Sequence, residues 1–330
     1  MTWYWPQLRD SALVPRRVDE FQRSLVVSAF GCGSRIVEET PYRPDYANYG
    51  SSYTCYPLRV TVEGPGGSVA RCVLKTDRFV GGLSREARLL PILRELGLNV
   101  PRILAGPVVH PEYPRGGELL VLEELSGEPL AFVGADLDAM DCTCRLLPRA
   151  IRRLHELTEA VRASPAAEAL PARTLLDELD EISRLGGPWL AHQTFAGAIE
   201  RLRPALASIE TPLVFTNGDY NVTNFLHEGG RLTGWLDFTH ACFEDPHVGL
   251  GKFVVWSYDR GWTAGAKAGL VERYLYDQNV SGREYAPRLA LRCLRLLQTD
   301  CSLDGDDDAR CREFSLGILQ ECMGCLGTSG

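Results

Sequence analysis

Three oxygen-bearing side chains, Asp219, Asn224 and Asp237, fall within one short stretch, residues 213–246, which reads LVFTNGDYNVTNFLHEGGRLTGWLDFTHACFEDP. Side chains of this kind suit two tasks. Carboxylate and amide oxygens hold a hard cation such as Mg²⁺, which keeps several waters and phosphate oxygens of its own. A further carboxylate is then free to accept a proton from a hydroxyl. Spacing decides whether they meet. Leu213-Val214-Phe215 reads as a buried strand, and a polar loop with Asp219, Asn221 and Asn224 follows it. Phe225-Leu226 opens a second apolar run. His227-Glu228-Gly229-Gly230 is a turn, because paired glycines supply the positive φ that a tight reversal needs. Leu232 to Leu236 runs back and Asp237 ends it. If the arms pair about Glu228-Gly229-Gly230, Asn224 and Asp237 stand at adjacent feet of the hairpin, with Asp219 just ahead of them. Asn and Asp are also ordinary loop formers, since their side chains bond nearby backbone. That explains one such residue; three at the rim of one hairpin between buried strands point to chemistry.

The preceding residues supply elements to position this hairpin. Val18, Phe21, Leu25 and Val26 recur at near-helical spacing and predict a helix ended by Gly31-Cys32-Gly33. Residues 35–40, 56–63 and 68–76 read as antiparallel strands, the last carrying Lys75, with Gly64-Pro65-Gly66-Gly67 as a turn. Between the first two strands lies a loop of small residues, Gly50-Ser51-Ser52, of the kind whose backbone N–H groups can cradle phosphates. Residues 81–99 predict a strong helix, capped by Ser84 and stopped by Gly97, and residues 102–104 another strand. Residues 118–125 (ELLVLEEL) form a last strand before Ser126-Gly127-Glu128-Pro129 breaks it. Beyond that the chain turns helical: residues 139–163, two helices within 169–206, then 256–276, 288–298 and a last helix through Leu319. His155 is expected as a packed helix residue.

Asn217-Gly218-Asp219 through Asn224, followed by Asp237-Phe238, resembles the catalytic loop and metal-binding turn of the aminoglycoside phosphotransferase family, small-molecule kinases with a protein-kinase-like fold. The likeness extends over roughly residues 35–320. It implies an α+β, two-lobed fold: an antiparallel-sheet N-lobe with one αC-like helix (residues 1–125, nucleotide-binding) and a mostly helical C-lobe (residues 126–330, catalytic loop and substrate binding). It implies Asp219 as catalytic base and Asn224 and Asp237 as Mg²⁺ ligands, with ATP as phosphate donor. By position Lys75 matches the family's strand lysine and Glu86 its helix partner, a buried pair that presents a fixed positive charge to phosphates. The backbone near Glu123, Glu124 and Leu125 matches the hinge that bonds adenine. Two positions depart. Asn217 stands where the family usually has His, and Gly249 stands where an Asp commonly follows the Asp-Pro turn, here Asp245-Pro246.

Composition bounds the rest. A chain of 330 residues is long enough for two lobes with real cores. Its 45% hydrophobic and 24% charged residues are those of a globular protein. A net charge of −8 argues against nucleic acid or an anionic membrane as partner, and permits a cationic acceptor. No stretch approaches the roughly 20 apolar residues of a membrane span, and the first residues lack the order of a signal peptide, so a cytoplasmic location is expected. The eleven cysteines are expected as reduced thiols. Glu244, Asp245 and the acidic residues 304–308 are candidates for holding a cationic amino-sugar. The reading is an ATP-dependent phosphotransferase acting on a small-molecule hydroxyl, with an aminoglycoside or similar basic antibiotic as first candidate. A kinase of homoserine, choline or a sugar, a nucleotide-binding pseudokinase and a plain scaffold are the alternatives.

Overall fold

The computed structural model describes residues 18–42, 57–77, 81–112, 117–131, 137–255, 264–301, 303 and 309–326. Gly50, Ser51, Ser52 and the acidic residues 304–308 lie outside them. The chain opens with helix α1 (Glu20–Phe30), whose N-cap Asp19 forms a capping box with Gln22. A five-stranded antiparallel sheet follows: β1 (Arg35–Pro41), β2 (Leu58–Glu63), β3 (Val69–Asp77), β4 (Ile103–Val109) and β5 (Glu118–Glu123), in the order β1-β2-β3-β5-β4. Helix α2 (Gly82–Glu95) is inserted between β3 and β4.

Strand alternation gives the sheet two buried faces. Cys72, Leu74 and Val121 pack with Val26 of α1 on one face. Val73, Leu120 and Leu122 pack with Leu89, Leu90 and Leu93 of α2 on the other. Fully burying one such leucine is worth about 1.5–3 kcal/mol. Lys75 is two residues beyond Val73 and so shares the α2 face. Glu86 lies four residues before Leu90 and seven before Leu93, on the stripe of α2 that meets the sheet. Two charged residues therefore occupy apolar positions opposite each other.

The cap of α2 differs from expectation. Gly81, at φ 98°, holds the N-cap position, and Ser84 sits one turn inside, where its N–H bonds Glu118 Oε2 at 3.0 Å. The stop is as read: Gly97 takes φ 78° and Leu98 N–H closes back on Leu93 O at 2.9 Å.

The second part of the chain is mostly helical: α3 (Leu137–Glu156), α4 (Thr158–Arg162), α5 (Leu175–Leu185), α6 (Gln193–Ala207), α7 (Gly251–Val255), α8 (Ala264–Asp277), α9 (Gly282–Asp300) and α10 (Ala309–Leu326). Helix α9 begins six residues before the expected 288, at a capping box of Ser281 and Glu284, with Pro287 inside it. Set among the helices are β6 (Glu128–Pro129), β7 (Val214–Thr216), β8 (Phe225–Glu228), β9 (Arg231–Trp235) and β10 (Cys242–Glu244). β6, β8 and β9 make a three-stranded sheet, and β7 pairs with β10. The core containing α2 continues into this part through Leu147, Ile151, Phe215, Phe225 and Phe238. α5, α6, α9 and α10 enclose a second one. No helix among the described residues is long and apolar enough to cross a membrane.

Candidate active site

The hairpin of β8 and β9 forms as its sequence suggests. Phe225 pairs with Trp235, and Glu228 with Arg231. Gly229 (φ 55°) and Gly230 (φ 74°) fill a two-residue turn in which both central positions need positive φ. At its feet Leu236 N–H bonds Asn224 O at 2.8 Å, which sets Asn224 beside Asp237.

The loop before the hairpin is held by its own side chains. The Asp219 carbonyl accepts from Asn217 Nδ2 at 2.9 Å and from Asn224 Nδ2 at 3.0 Å. Asn217 Oδ1 in turn accepts the Asp219 N–H at 3.3 Å. Gly218 has φ 72°, and a Cβ there would stand 2.0 Å from the His240 carbonyl, so only glycine fits. Thr216 Oγ1 accepts the Gly218 N–H at 3.0 Å and donates to Glu244 Oε1 at 2.7 Å. Asp219, with its backbone tied on both sides, presents a carboxylate about a quarter exposed.

A second cluster closes against the sheet. Lys75 Nζ donates to Glu86 Oε2 at 2.6 Å, to Asp237 Oδ1 at 3.1 Å and to Thr239 Oγ1 at 3.1 Å. Glu86 also accepts the Phe238 N–H at 3.1 Å and the Thr239 hydroxyl at 3.1 Å. Lys75 is 6% exposed and Glu86 1%. Burial works against charge on Asp237, but Lys75 and His240 nearby, with hydrogen bonds from Lys75 and Thr239, hold its carboxyl well below the usual carboxylate range. Asp237, at φ 58°, is thus an ionised oxygen donor beside the Asn224 amide. Two hard oxygen donors fit Mg²⁺ that draws its remaining ligands from water and phosphate. Among the described residues no group of three His, Cys, Asp or Glu side chains offers a complete metal cage.

Several residues take places that sequence did not indicate. Lys252, in α7, donates a hydrogen bond to Asp219 Oδ1. Thr239 links Lys75 to Glu86. His155 Nε2 meets the Tyr220 hydroxyl at 2.7 Å, so this histidine braces the residue after Asp219. A capping role for Asp245 corrects its assignment to a cationic ligand: it is 1% exposed, caps the His247 and Val248 N–H groups at 2.9 and 3.0 Å, and takes a bidentate pair from Arg288. Glu244 is likewise buried on Thr216, and burial pushes its carboxyl up. Both are buried on partners within the protein. At the end of β5 the Glu123 N–H is already bonded to Arg102 O at 2.9 Å, while its carboxylate holds Arg102 and that of Glu124 holds Arg59.

The two sequence departures also have a structural setting. Asn217 ties the loop through the Asp219 backbone. At Gly249 an added Cβ would lie 2.7 Å from the Tyr220 ring, which is itself 2% exposed. Tyr220 fills the space an aspartate side chain would need. Gly249→Asp is therefore expected to destabilise the fold by about 1–3 kcal/mol through overpacking, and chemical denaturation would read this as a lower midpoint; an unchanged midpoint would contradict the packing described. Acid titration tests the brace. Burial first, then His247, against the pull of Asp245, pushes His155 from 6.5 to about 4. Above pH 6.5 the ring is neutral in both states. Between 6.5 and 4 the unfolded chain takes the proton and the folded one does not, so stability falls as pH falls, and the loss is complete below 4. His155→Gln should remove on the order of 3 kcal/mol of this acid-induced loss, and an equal loss in both proteins would contradict the buried, neutral imidazole.

Comparison with known proteins follows the same lines. The family model of the phosphotransferase enzyme family matches residues 58–291. No curated protein matches the chain. Among solved structures, a thermostable mutant of aminoglycoside phosphotransferase APH(4)-Ia in ternary complex with AMP-PNP and hygromycin B is similar at 15% identity and TM-score 0.61, covering 94% of this chain and 100% of that one. The GDP and kanamycin complex of APH(2")-IIia is similar at 17% identity and TM-score 0.57, over 91% and 97%. LicA in complex with AMP is similar at 14% identity and TM-score 0.58, over 96% and 100%. These likenesses show the kinase-like fold, and the family match covers more than half of the chain. The chain belongs to the phosphotransferase enzyme family, as an enzyme of the small-molecule kinase class.

Proposed function

We propose that this protein transfers the γ-phosphate of ATP to a hydroxyl of a small molecule. The observation that carries the reading is the juxtaposition of Asp219, bonded through its carbonyl to Asn224, with an Asp237 that buried Lys75 keeps ionised. Asp219 accepts the hydrogen bond of the acceptor hydroxyl, orients its oxygen toward phosphorus and takes its proton. Lys75, steadied by Glu86, holds the α/β-phosphates. Asn224 and Asp237 hold Mg²⁺, which when bound neutralises charge on the phosphates. The backbone of Glu124 and Leu125 reads the adenine edge, since the Glu123 N–H is engaged within the sheet. Gly50, Ser51 and Ser52, the remaining candidates for the phosphates, lie outside the described residues. In this scheme residues 1–125 serve the nucleotide and residues 126–330 the acceptor.

ATP as donor is supported by neighbours that hold AMP-PNP or ADP. Aminoglycosides and similar basic antibiotics are the first acceptors to consider, because neighbours hold hygromycin B and kanamycin. A different hydroxylated metabolite, such as homoserine, choline or a sugar, is favoured by two features of this chain. Glu244 is turned inward onto Thr216, and Asp245 inward onto Arg288. ADP release with Mg-ATP, measured against a panel of aminoglycosides, other basic antibiotics and small amino alcohols, separates these. Release should depend on one acceptor class and fall about 10²–10⁴-fold in Asp219→Asn, with ATP affinity little changed. Near wild-type turnover in that variant would overturn the assignment of the base.

A further inference from the structure

The Asp219 carboxylate carries a partner that its assigned task does not call for. Lys252 Nζ donates to Asp219 Oδ1, and both side chains are about a quarter exposed. The contact is built in by the start of α7. Gly249 lies against the Tyr220 ring, where a Cβ would come within 2.7 Å, and a Cβ at Gly251 would come within 2.7 Å of Arg292 Cγ. Two glycines thus bring this short helix against the catalytic loop and against α9, and Lys252 is the next residue. Its neighbours Phe253 and Val255 are 3% and 2% exposed, so Lys252 is the polar member of an otherwise apolar turn, directed at the base. Nearby Arg292 is held by Glu178 at 3.4 Å.

An ion pair this exposed contributes at most about 1 kcal/mol to stability, so folding alone gives little reason for it. It engages one oxygen of the base, Oδ1, and leaves Oδ2 to accept from a hydroxyl. A phosphate group arriving beside Asp219 would offer Nζ a second, charge-assisted partner. Geometry names that partner. The acceptor oxygen must lie about 2.6–3.2 Å from the Asp219 carboxylate and about 3–3.5 Å from phosphorus. The γ-phosphate is thereby brought close to the Asp219 carboxylate, which Nζ already contacts from the end of a flexible four-carbon stem.

We propose that Lys252 is a catalytic residue of the phosphoryl transfer: its ammonium leaves Asp219 when the nucleoside triphosphate binds and donates to an equatorial oxygen of the γ-phosphate. In the step itself the acceptor O–P bond forms and the bond from phosphorus to the β,γ-bridging oxygen breaks. The hydroxyl proton passes to Asp219 and the electron pair leaves on the diphosphate. Lys252 stays protonated throughout and stabilises the charge spread over the γ-oxygens. This inference rests on the phosphotransferase reading above.

Calorimetric titration with Mg-AMP-PNP and Mg-ADP tests it without an identified acceptor. Wild type should bind AMP-PNP more tightly than ADP. Lys252→Met should lose about tenfold or more of that preference while its ADP affinity stays within threefold; Lys252→Arg should keep most of it, and Asp219→Asn should keep or increase it. The quarter-exposed pair predicts an almost unchanged melting temperature for Lys252→Met. An unaltered preference in Lys252→Met, or no preference in wild type that still binds ADP, would overturn the role of Lys252 and leave the nucleotide site standing. Wild type that binds neither nucleotide would overturn the phosphotransferase reading itself.

Discussion

A buried ammonium is the constraint on which the rest of this structure turns. Lys75 lies on the α2 face of the sheet with 6% of its surface exposed, where an unpaired charge would cost several kcal/mol. Its charge is met from three places in the chain: Glu86 of α2, Asp237 at the foot of the hairpin and the hydroxyl of Thr239. Asp237 is 162 residues from Lys75, so satisfying one amine fixes the sheet, the helix and the hairpin relative to one another. Glu86 tightens the junction by accepting the Phe238 N–H as well. A pair of this kind is weak evidence for stability, because apolar residues would pack there at less cost. Under the proposed function it is a positive charge held in place for the phosphates of the nucleotide.

The loop of Asp219 meets a different requirement, to present one carboxylate without letting its backbone move. Here the means are local. Asn217 and Asn224 both donate to the Asp219 carbonyl, Gly218 passes under the His240 carbonyl, and Tyr220 is anchored on His155. Gly249 and Tyr220 complement one another sterically, and so the glycine is part of a repacked brace rather than a missing side chain. The same close packing delivers Lys252 to the loop.

Much of this was legible in the sequence, for physical reasons that also explain what was not. The hairpin could be read because a Gly-Gly turn between two apolar runs allows one register. The helix carrying Glu86 could be read because Leu89, Leu90 and Leu93 repeat at 3.6 residues and Gly97 ends it. Most strand ends drifted by a residue or two, where hydrogen bonding rather than hydropathy decides, but the strand expected at 102–104 runs on to Val109, paired with β5. The cap of α2 was misplaced because Gly81, with a positive φ, displaced Ser84, which instead serves Glu118. The start of α9 was missed although Ser281 and Glu284, three residues apart, carried the signal of a capping box. Glu244 and Asp245 looked like an acidic surface turn; their buried partners, Thr216 and Arg288, are 28 and 43 residues away and leave no mark in local pattern. Lys252 was invisible for the same reason, one lysine in an apolar turn 33 residues from the aspartate it meets.

The central claim is that the Lys75 cluster exists to hold a nucleotide's phosphates, and the most direct test is thermal unfolding of wild type and Lys75→Met with and without Mg-ATP. In the variant Glu86 keeps its bonds from Phe238 and Thr239, and the melting temperature without nucleotide reads how much stability the lost ammonium costs. Saturating Mg-ATP should stabilise wild type by about 2–3 kcal/mol at a hundredfold excess over its Kd, with a matching rise in melting temperature, and should leave Lys75→Met unmoved. An equal rise in both proteins would contradict the account, because the phosphates would then be held without the buried lysine.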